Sequence, residues 1–151
     1  MASPPCKMTA QLAFKAGGDV FHRIFTINPQ HLVRAAPTKI LGCNIRHGSF
    51  QTVGSVIEWI YYLDGKQRTC LQLIESVDEE KRRVAFKFIT GDLLQRYKNF
   101  VLAFQVETRA EKDYIIWTVD YELLDAALPH PISVLKFVIE LTVEIEAHIF
   151  G

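Results

Sequence analysis

The sequence predicts an α+β domain in which a curved antiparallel sheet of seven strands wraps around a long C-terminal helix. Three features carry this prediction. Apolar and polar residues alternate repeatedly between Lys39 and Glu122, the turn dipeptide Asp64–Gly65 interrupts that region, and charges recur every four residues near the C-terminus. Strands followed by one long helix are typical of an α+β fold. We treat residues 1–151 as a single domain because a chain of this length needs no second core.

The chain opens with one predicted strand and two predicted short helices. Apolar and polar residues alternate from Lys7 to Phe14, which is the period of a half-buried strand. Gly17–Gly18 ends this pattern, and we expect Asp19 to cap the first helix. Asn28–Pro29 predicts the start of the second helix, since proline is tolerated in the first turn, and Pro37 ends it.

Six more strands are predicted before the last helix. Their expected bounds are Lys39–His47, Val53–Leu63, Lys66–Val77, Arg83–Thr90, Tyr97–Glu107 and Tyr114–Glu122. Asp64–Gly65 connects the second and third of them, because this dipeptide favours hairpin turns in which both central residues have positive φ. The register then pairs Leu63 with Lys66 and, further from the turn, Trp59 with Cys70.

This hairpin has two faces, and both are apolar. One face carries Ile57, Trp59, Tyr61, Arg68, Cys70, Gln72 and Ile74, and the other carries Val56, Glu58, Ile60, Tyr62, Thr69, Leu71 and Leu73. Pattern alone does not decide which face points inward. The first face has the mixture of aromatic rings and few polar groups that is typical of a pocket wall, although a solid core is the alternative interpretation. The second face would then be an apolar contact patch, so we expect a monomer or a weak homodimer through the outer face of strands 53–63 and 66–77.

The C-terminal segment from Pro131 onward is rich in β-branched residues, yet its charges predict a helix. Lys136, Glu140, Glu144 and His148 recur every four residues and form one polar stripe, in which Lys136 and Glu140 can pair. Apolar side chains cover the remaining circumference, so we expect the sheet to enclose most of this helix.

Composition argues against several classes of function. The 17 basic and 17 acidic residues cancel, which argues against nucleic acid as a partner because phosphate binding needs a concentrated basic surface. No apolar run is long enough for membrane insertion, and the N-terminus has no apolar core of a secretory signal. Cys6, Cys43 and Cys70 are odd in number and widely spaced, as in reduced proteins, so we expect a cytoplasmic protein.

Five motifs occur in order along the chain: "TVGSVIEW" (Thr52–Trp59), "YLDGK" (Tyr62–Lys66), "GDLLQRYKNF" (Gly91–Phe100), "WTVDYELL" (Trp117–Leu124) and "FVIELTVEIEAHI" (Phe137–Ile149). Together they resemble the plant major latex protein family, within the superfamily of the birch pollen allergen and the pathogenesis-related class ten proteins. The resemblance implies a helix-grip fold: a seven-stranded sheet, a V of two short helices and a long helix over an internal cavity. It also implies a carrier or reservoir in defence or biotic stress that binds a small hydrophobic plant ligand, such as a lipid, sterol, hormone, phenolic or alkaloid.

The resemblance further implies that the concave face of the sheet lines this ligand cavity. The residues expected in the wall are Phe21, Phe25, Ile57, Trp59, Tyr61, Cys70, Gln72, Phe86, Phe88, Phe100, Leu102, Phe104, Trp117, Tyr121, Phe137 and Leu141. One departure concerns the loop His47–Gly54, which is glycine-dense in many superfamily members but holds only two glycines here. We therefore expect a gate or a plain turn there, without phosphate binding or ribonuclease activity.

No standard catalytic, metal-binding or nucleotide-binding motif is present in the sequence, and we expect no cofactor and no metal. The alternative to a carrier is a cavity enzyme, an isomerase or cyclase of specialised metabolism, because some superfamily members work in this way. Such catalysis can rest on positioning and one acid or base, which leaves no motif. Tyr61, His47 and Tyr121 are the candidate acid–base residues, with Gln72 as an orienting group.

Overall fold

The computed structural model describes residues 3–151. Seven antiparallel strands form one sheet in the order β1-β7-β6-β5-β4-β3-β2. The strands are β1 (Cys6–Ala13), β2 (Ile40–His47), β3 (Val56–Leu63), β4 (Lys66–Asp78), β5 (Arg83–Phe88), β6 (Tyr97–Arg109) and β7 (Lys112–Leu123). The helices are α1 (Gly18–Thr26), α2 (His31–Ala35) and α3 (Ile132–Phe150), and a 3₁₀ helix at Asp92–Gln95 joins β5 to β6. The predicted α+β fold, with its seven strands and long terminal helix, is confirmed.

The hairpin of β3 and β4 settles which face points inward. Asp64 and Gly65 have φ of 55° and 72°, and Trp59 lies opposite Cys70 as predicted. Trp59 is 7% exposed, whereas Tyr62 on the opposite face is 38% exposed. The face that carries Trp59 is therefore the concave, inner face of the sheet.

Irregular pairing bends the long strands around α3. The register shifts between Ile74 and Ser76 where β4 meets β5, and between Lys98 and Val101 where β6 meets β7. Asn99, inside the second shift, has a positive φ of 52°. An extra residue on one strand increases local twist and bend, which lets a single sheet curve over one face of a helix.

Helix α1 begins differently from the prediction, and Asp19 does not cap it. Its N-cap is Gly17, and Asp19 pairs instead with Arg82 at 2.9 Å. The N–H of Gly18 donates a hydrogen bond to Oδ2 of Asp113 on β7, at 2.7 Å. A Cβ at Gly18 would lie 2.1 Å from Cγ1 of Val106, so only glycine allows the helix to approach the sheet this closely. Local sequence could not reveal a cap that comes from a distant strand.

Helix α2 is shorter than predicted. It covers His31–Ala35, and Asn28–Pro29 forms the turn before it, with the N–H of His31 donating to the Asn28 carbonyl at 3.0 Å. Together α1 and α2 form the V between β1 and β2, which are the two edges of the sheet.

Helix α3 is less enclosed than predicted, because the sheet covers only one of its faces. The inner face is buried through Val134, Val138, Leu141, Thr142 and Ile145, whereas Ile132, Val143, Ile149 and Phe150 are exposed. Lys136 was expected to pair with Glu140, but the partner of Glu140 is Lys39, the residue before β2, at 3.1 Å. Among the helices of residues 3–151, none is long and apolar enough to cross a membrane.

The carboxylate of Asp113 gives the first prediction. A hydrogen bond from Thr108, a second from the Gly18 N–H and the charge of Arg82 hold the pKa of Asp113 below its ordinary 3.8. A lowered pKa stabilises the fold above about pH 4, and this stability is lost as pH falls through the lowered value. We expect Asp113→Ala to lower the free energy of unfolding by about 1 kcal/mol at pH 7, as is typical for a lost helix cap.

Urea denaturation at pH 7 and at pH 3 measures this contribution. Asp113→Asn keeps an acceptor oxygen and should cost less than Asp113→Ala, while Glu80→Ala at an exposed turn position serves as a control. A destabilisation by Asp113→Ala that is the same size at both pH values would contradict the role of the ionised carboxylate.

Candidate functional site

A cavity of about 60 Å³ lies between the concave face of the sheet and α3. Its wall consists of Phe25, Leu32, Ile40, Trp59, Tyr61, Leu63, Gln72, Phe86, Phe88, Leu93, Leu102, Trp117, Val134, Phe137, Val138 and Leu141. The wall has no charged side chain, and most of its surface is apolar. Such a wall suits an apolar molecule held by a few polar contacts.

The structure places many of the predicted site residues in this wall. Those that line the cavity are Phe25, Trp59, Tyr61, Gln72, Phe86, Phe88, Leu102, Trp117, Phe137 and Leu141. Leu32, Ile40, Leu63, Leu93, Val134 and Val138 also line it and were missed. The spacing of Val134 and Val138 relative to Leu141 could have revealed these two, since all three share one helix face.

Other predicted wall residues lie elsewhere in the core. They are Phe21, Ile57, Cys70, Phe100, Phe104 and Tyr121. Phe21 packs edge-on against Phe104 with ring centroids 5.1 Å apart, and Phe100 packs against Phe88 at 4.9 Å. Strand alternation places a side chain on the inner face, but it does not show whether another ring fills the space in front of it.

The cavity is small for the proposed class of ligand. One water molecule needs roughly 10–15 Å³ of such volume, so about 60 Å³ has room for a few waters. Sites for drug-sized molecules are roughly 300–1,000 Å³. A lipid or a sterol would therefore have to push part of the wall outward.

Phe137 and Leu63 separate this cavity from a depression on the surface. Both residues line the cavity and also line a second pocket of about 360 Å³ that contains Lys39 and Glu140. The Phe137 ring lies 5.9 Å from the ring of Tyr61 on its inner side. On its outer side the ammonium of Lys39 lies 6.0 Å from the Phe137 centroid and 3.1 Å from Glu140. Movement of Phe137 would join the two spaces.

Within residues 3–151, two buried polar atoms of the wall residues have no protein partner at normal hydrogen-bond geometry: the Tyr61 hydroxyl and the indole Nε1 of Trp59. The Cys70 thiol lies close enough to the Tyr61 hydroxyl for a weak hydrogen bond, because a thiol is a weak hydrogen-bonding group. Gln72 donates from Nε2 to the Cys70 sulfur at 3.6 Å. Two buried donors on residues that line the same cavity are the most unusual feature of this wall.

Burial also sets the protonation of this region. Desolvation raises the pKa of Tyr61 far above its ordinary 10.0 and raises the pKa of Cys70 to about 12. The same effect raises the pKa of Cys43 to about 12. Tyr61 is therefore neutral at physiological pH and acts as a donor, and both thiols keep their protons.

The other two candidate acid–base residues lie outside the cavity wall. His47 is exposed at the end of β2. The hydroxyl of Tyr121 hydrogen-bonds Nδ1 of His130 at 2.6 Å, and this contact ties the loop before α3 to the sheet. Of the three candidates, Tyr61 alone lines the cavity.

The loop between β2 and β3 satisfies its own polar groups. Gly48 and Gly54 both have positive φ, of 83° and 90°. The N–H of Ser49 donates to the hydroxyl of Ser55 at 2.9 Å, and Ser55 is buried. This geometry is that of a turn closed by its own serine.

Comparison with known proteins adds three findings. Residues 5–151 match the pathogenesis-related protein Bet v 1 family. MLP-like protein 31 of Arabidopsis thaliana is 36% identical over 147 residues, which are 96% of this chain and 86% of that protein. The crystal structure of ginseng major latex-like protein 151 from Panax ginseng is 37% identical with a TM-score of 0.92, covering 95% of this chain and 97% of the other.

A more distant structure shares the fold alone. Norcoclaurine synthase from Thalictrum flavum, in complex with dopamine and hydroxybenzaldehyde, has a TM-score of 0.71 at 14% identity. The alignment covers 95% of this chain and 87% of the synthase. At this identity the likeness is evidence for the fold and not for the chemistry of the site.

Proposed function

The chain belongs to the pathogenesis-related protein Bet v 1 family, and from that premise we propose that its cavity binds one small hydrophobic molecule. The resemblance to the major latex proteins is confirmed by the identity to relatives of that name. The single observation that supports binding is the cavity wall, which is almost wholly apolar and has no charge. Apolar surface of this kind favours transfer of an apolar guest out of water.

The proposed role is that of a carrier or reservoir in plant defence or stress, acting in the cytoplasm. A lipid, sterol, hormone, phenolic or alkaloid would fit the chemistry of the wall. A carrier is favoured over an isomerase or cyclase, because two of the three candidate acid–base residues, His47 and Tyr121, lie outside the wall. The remaining one, Tyr61, has a raised pKa that makes it a poor base at neutral pH.

Binding of a ligand larger than the cavity would need a rearrangement of α3 and Phe137. The surface depression beside Lys39 and Glu140 is the nearest open space to the wall. A ligand that enters there would displace the Phe137 ring first. Because binding then includes a conformational step, we expect association to be slower than diffusion allows.

Native mass spectrometry with candidate ligands tests this proposal. The protein is incubated with a panel of neutral lipids, sterols and phenolics, and chromatography then checks whether the bound molecules are recovered unchanged. Val138→Phe should abolish binding by filling the cavity, because Val138 is 1% exposed and lines the wall. Val143→Phe carries the same substitution on the outer face of α3, where Val143 is 57% exposed, and should bind as the natural chain does.

Each outcome bears on one part of the proposal. Absence of any bound species, or equal binding by both variants, would contradict an internal site. Converted product would support the enzyme instead of the carrier. Circular dichroism of Val138→Phe must show a folded protein, since overpacking of a core costs roughly 1–3 kcal/mol.

A further inference from the structure

The two buried donors that find no strong partner within residues 3–151 lie on one strand of the cavity wall. Tyr61 is the second residue after Trp59 on β3. Because side chains alternate between the two faces of a strand, both project from the inner face. Each residue is 7% exposed. Phenylalanine at position 61 would fill nearly the same space without burying a donor, so packing alone does not account for the phenol O–H there.

Among residues 3–151, no charged side chain lines the wall. An ionic ligand would therefore have no opposite charge to pair with there. The guanidinium of Arg68 belongs to a residue opposite Tyr61 in the sheet, but Arg68 is absent from the wall. It donates from Nε to the Leu63 carbonyl and lies 3.6 Å from Asp92. A carboxylate or an ammonium inside the cavity would therefore lose its hydration without gaining an opposite charge.

Both groups can donate a hydrogen bond, although the phenol hydroxyl can also accept one. An indole N–H can only donate, and a neutral phenol donates readily to an oxygen atom. Gln72 is the remaining polar residue beside them, with its Nε2 directed to the Cys70 sulfur. The complementary group on a ligand is an oxygen with lone pairs, such as that of a ketone, an ester, an ether or a hydroxyl.

We propose that the ligand is an uncharged molecule with an oxygen acceptor, which accepts hydrogen bonds from the Tyr61 hydroxyl and the Trp59 indole N–H. This inference rests on the proposed function and makes it more specific. The apolar wall supplies affinity for the carbon skeleton, while the two donors select for the oxygen. An apolar molecule of the same shape would leave both donors unpaired and would bind more weakly.

Three probes of nearly equal shape test the inference: acetophenone, α-methylstyrene and benzoate. They carry a ketone oxygen, a methylene group and a carboxylate, respectively, on the same ring. Binding is followed at pH 7 by NMR titration of the ¹⁵N-labelled protein, which reports the indole N–H of Trp59 and of Trp117 separately. We expect acetophenone to bind at least about tenfold more tightly than either other probe. We also expect it to move the Trp59 indole signal in the direction of a stronger hydrogen bond.

Variants on both faces of β3 provide the controls. Tyr61→Phe should bring the affinities for acetophenone and α-methylstyrene to within about threefold of each other. Tyr62→Phe removes the same hydroxyl from the neighbouring outer position, which is 38% exposed, and should leave the tenfold preference intact. The melting temperature of Tyr61→Phe should be no lower than that of the natural chain, because among residues 3–151 the buried hydroxyl has only the weak Cys70 thiol as a neighbouring partner.

Four results would overturn the inference. Equal affinity of the natural chain for acetophenone and α-methylstyrene would overturn it while leaving an internal apolar site in place. Tightest binding of benzoate, or an unchanged preference in Tyr61→Phe, would do the same. Binding of none of the three probes would also overturn this inference, whereas the proposed function is overturned only if the panel of lipids, sterols and phenolics leaves no bound species either.

Discussion

Replacement of Trp117 by alanine should lower the free energy of unfolding by about 3–5 kcal/mol, the usual cost of removing a buried aromatic side chain. Trp117 is 1% exposed, and its ring lies 5.5 Å from that of Phe104 and 5.8 Å from that of Phe25. Its indole N–H donates to the Thr142 hydroxyl at 2.8 Å, which joins β7 to α3. Since small domains have a total stability of roughly 5–15 kcal/mol, this change could unfold much of the protein.

Urea denaturation of a graded series measures this effect. Trp117→Phe keeps a ring but loses the bond to Thr142, and we expect it to cost about 1–3 kcal/mol. Val143→Ala, at an exposed position of α3, should change stability by less than about 0.5 kcal/mol. A loss below 2 kcal/mol for Trp117→Ala would show that the aromatic cluster can close over the missing ring.

Replacement of Phe137 by alanine should speed ligand entry by about tenfold, because the conformational step that limits association would be removed. Phe137 is half-buried and lines both the internal cavity and the surface depression. Truncation of its ring would join these two spaces directly. Stopped-flow fluorescence with the neutral ketone probe 6-propionyl-2-dimethylaminonaphthalene measures the association rate.

The same substitution at Phe150 provides a matched control. Phe150 lies on α3 as well, but it is 64% exposed and lines neither space. Its replacement by alanine should leave the association rate unchanged. If Phe137→Ala binds the probe no faster than Phe150→Ala, then Phe137 is not the barrier to entry.

The sheet could be predicted from the sequence because its signals are local. Asp64–Gly65 determines a hairpin register, and the register determines that Trp59, Tyr61 and Gln72 share one face. The resemblance to a known family then implied that the inner face lines a ligand cavity. These predictions can be made without knowing the volume of the cavity or the contacts between distant segments.

The features that the sequence did not predict depend on contacts between distant segments. The cap of α1 comes from Asp113, and the partner of Glu140 comes from Lys39 at the start of β2. Leu93 reaches the wall from a 3₁₀ helix that the alternating pattern of strands does not describe. The small volume of the cavity likewise results from how neighbouring rings fill space, which periodicity does not encode.

The position of β1 at one edge of the sheet has a consequence for biosynthesis. β1 is synthesised before the other six strands, yet within residues 3–151 its one neighbour in the sheet is β7, and Cys6 lies opposite Tyr121. During translation β1 therefore cannot pair with β7 until most of the polypeptide has left the ribosome. Contacts between such distant segments slow folding. The partly synthesised chain therefore carries an unpaired strand with one apolar face, and exposed surface of this kind is what chaperones bind.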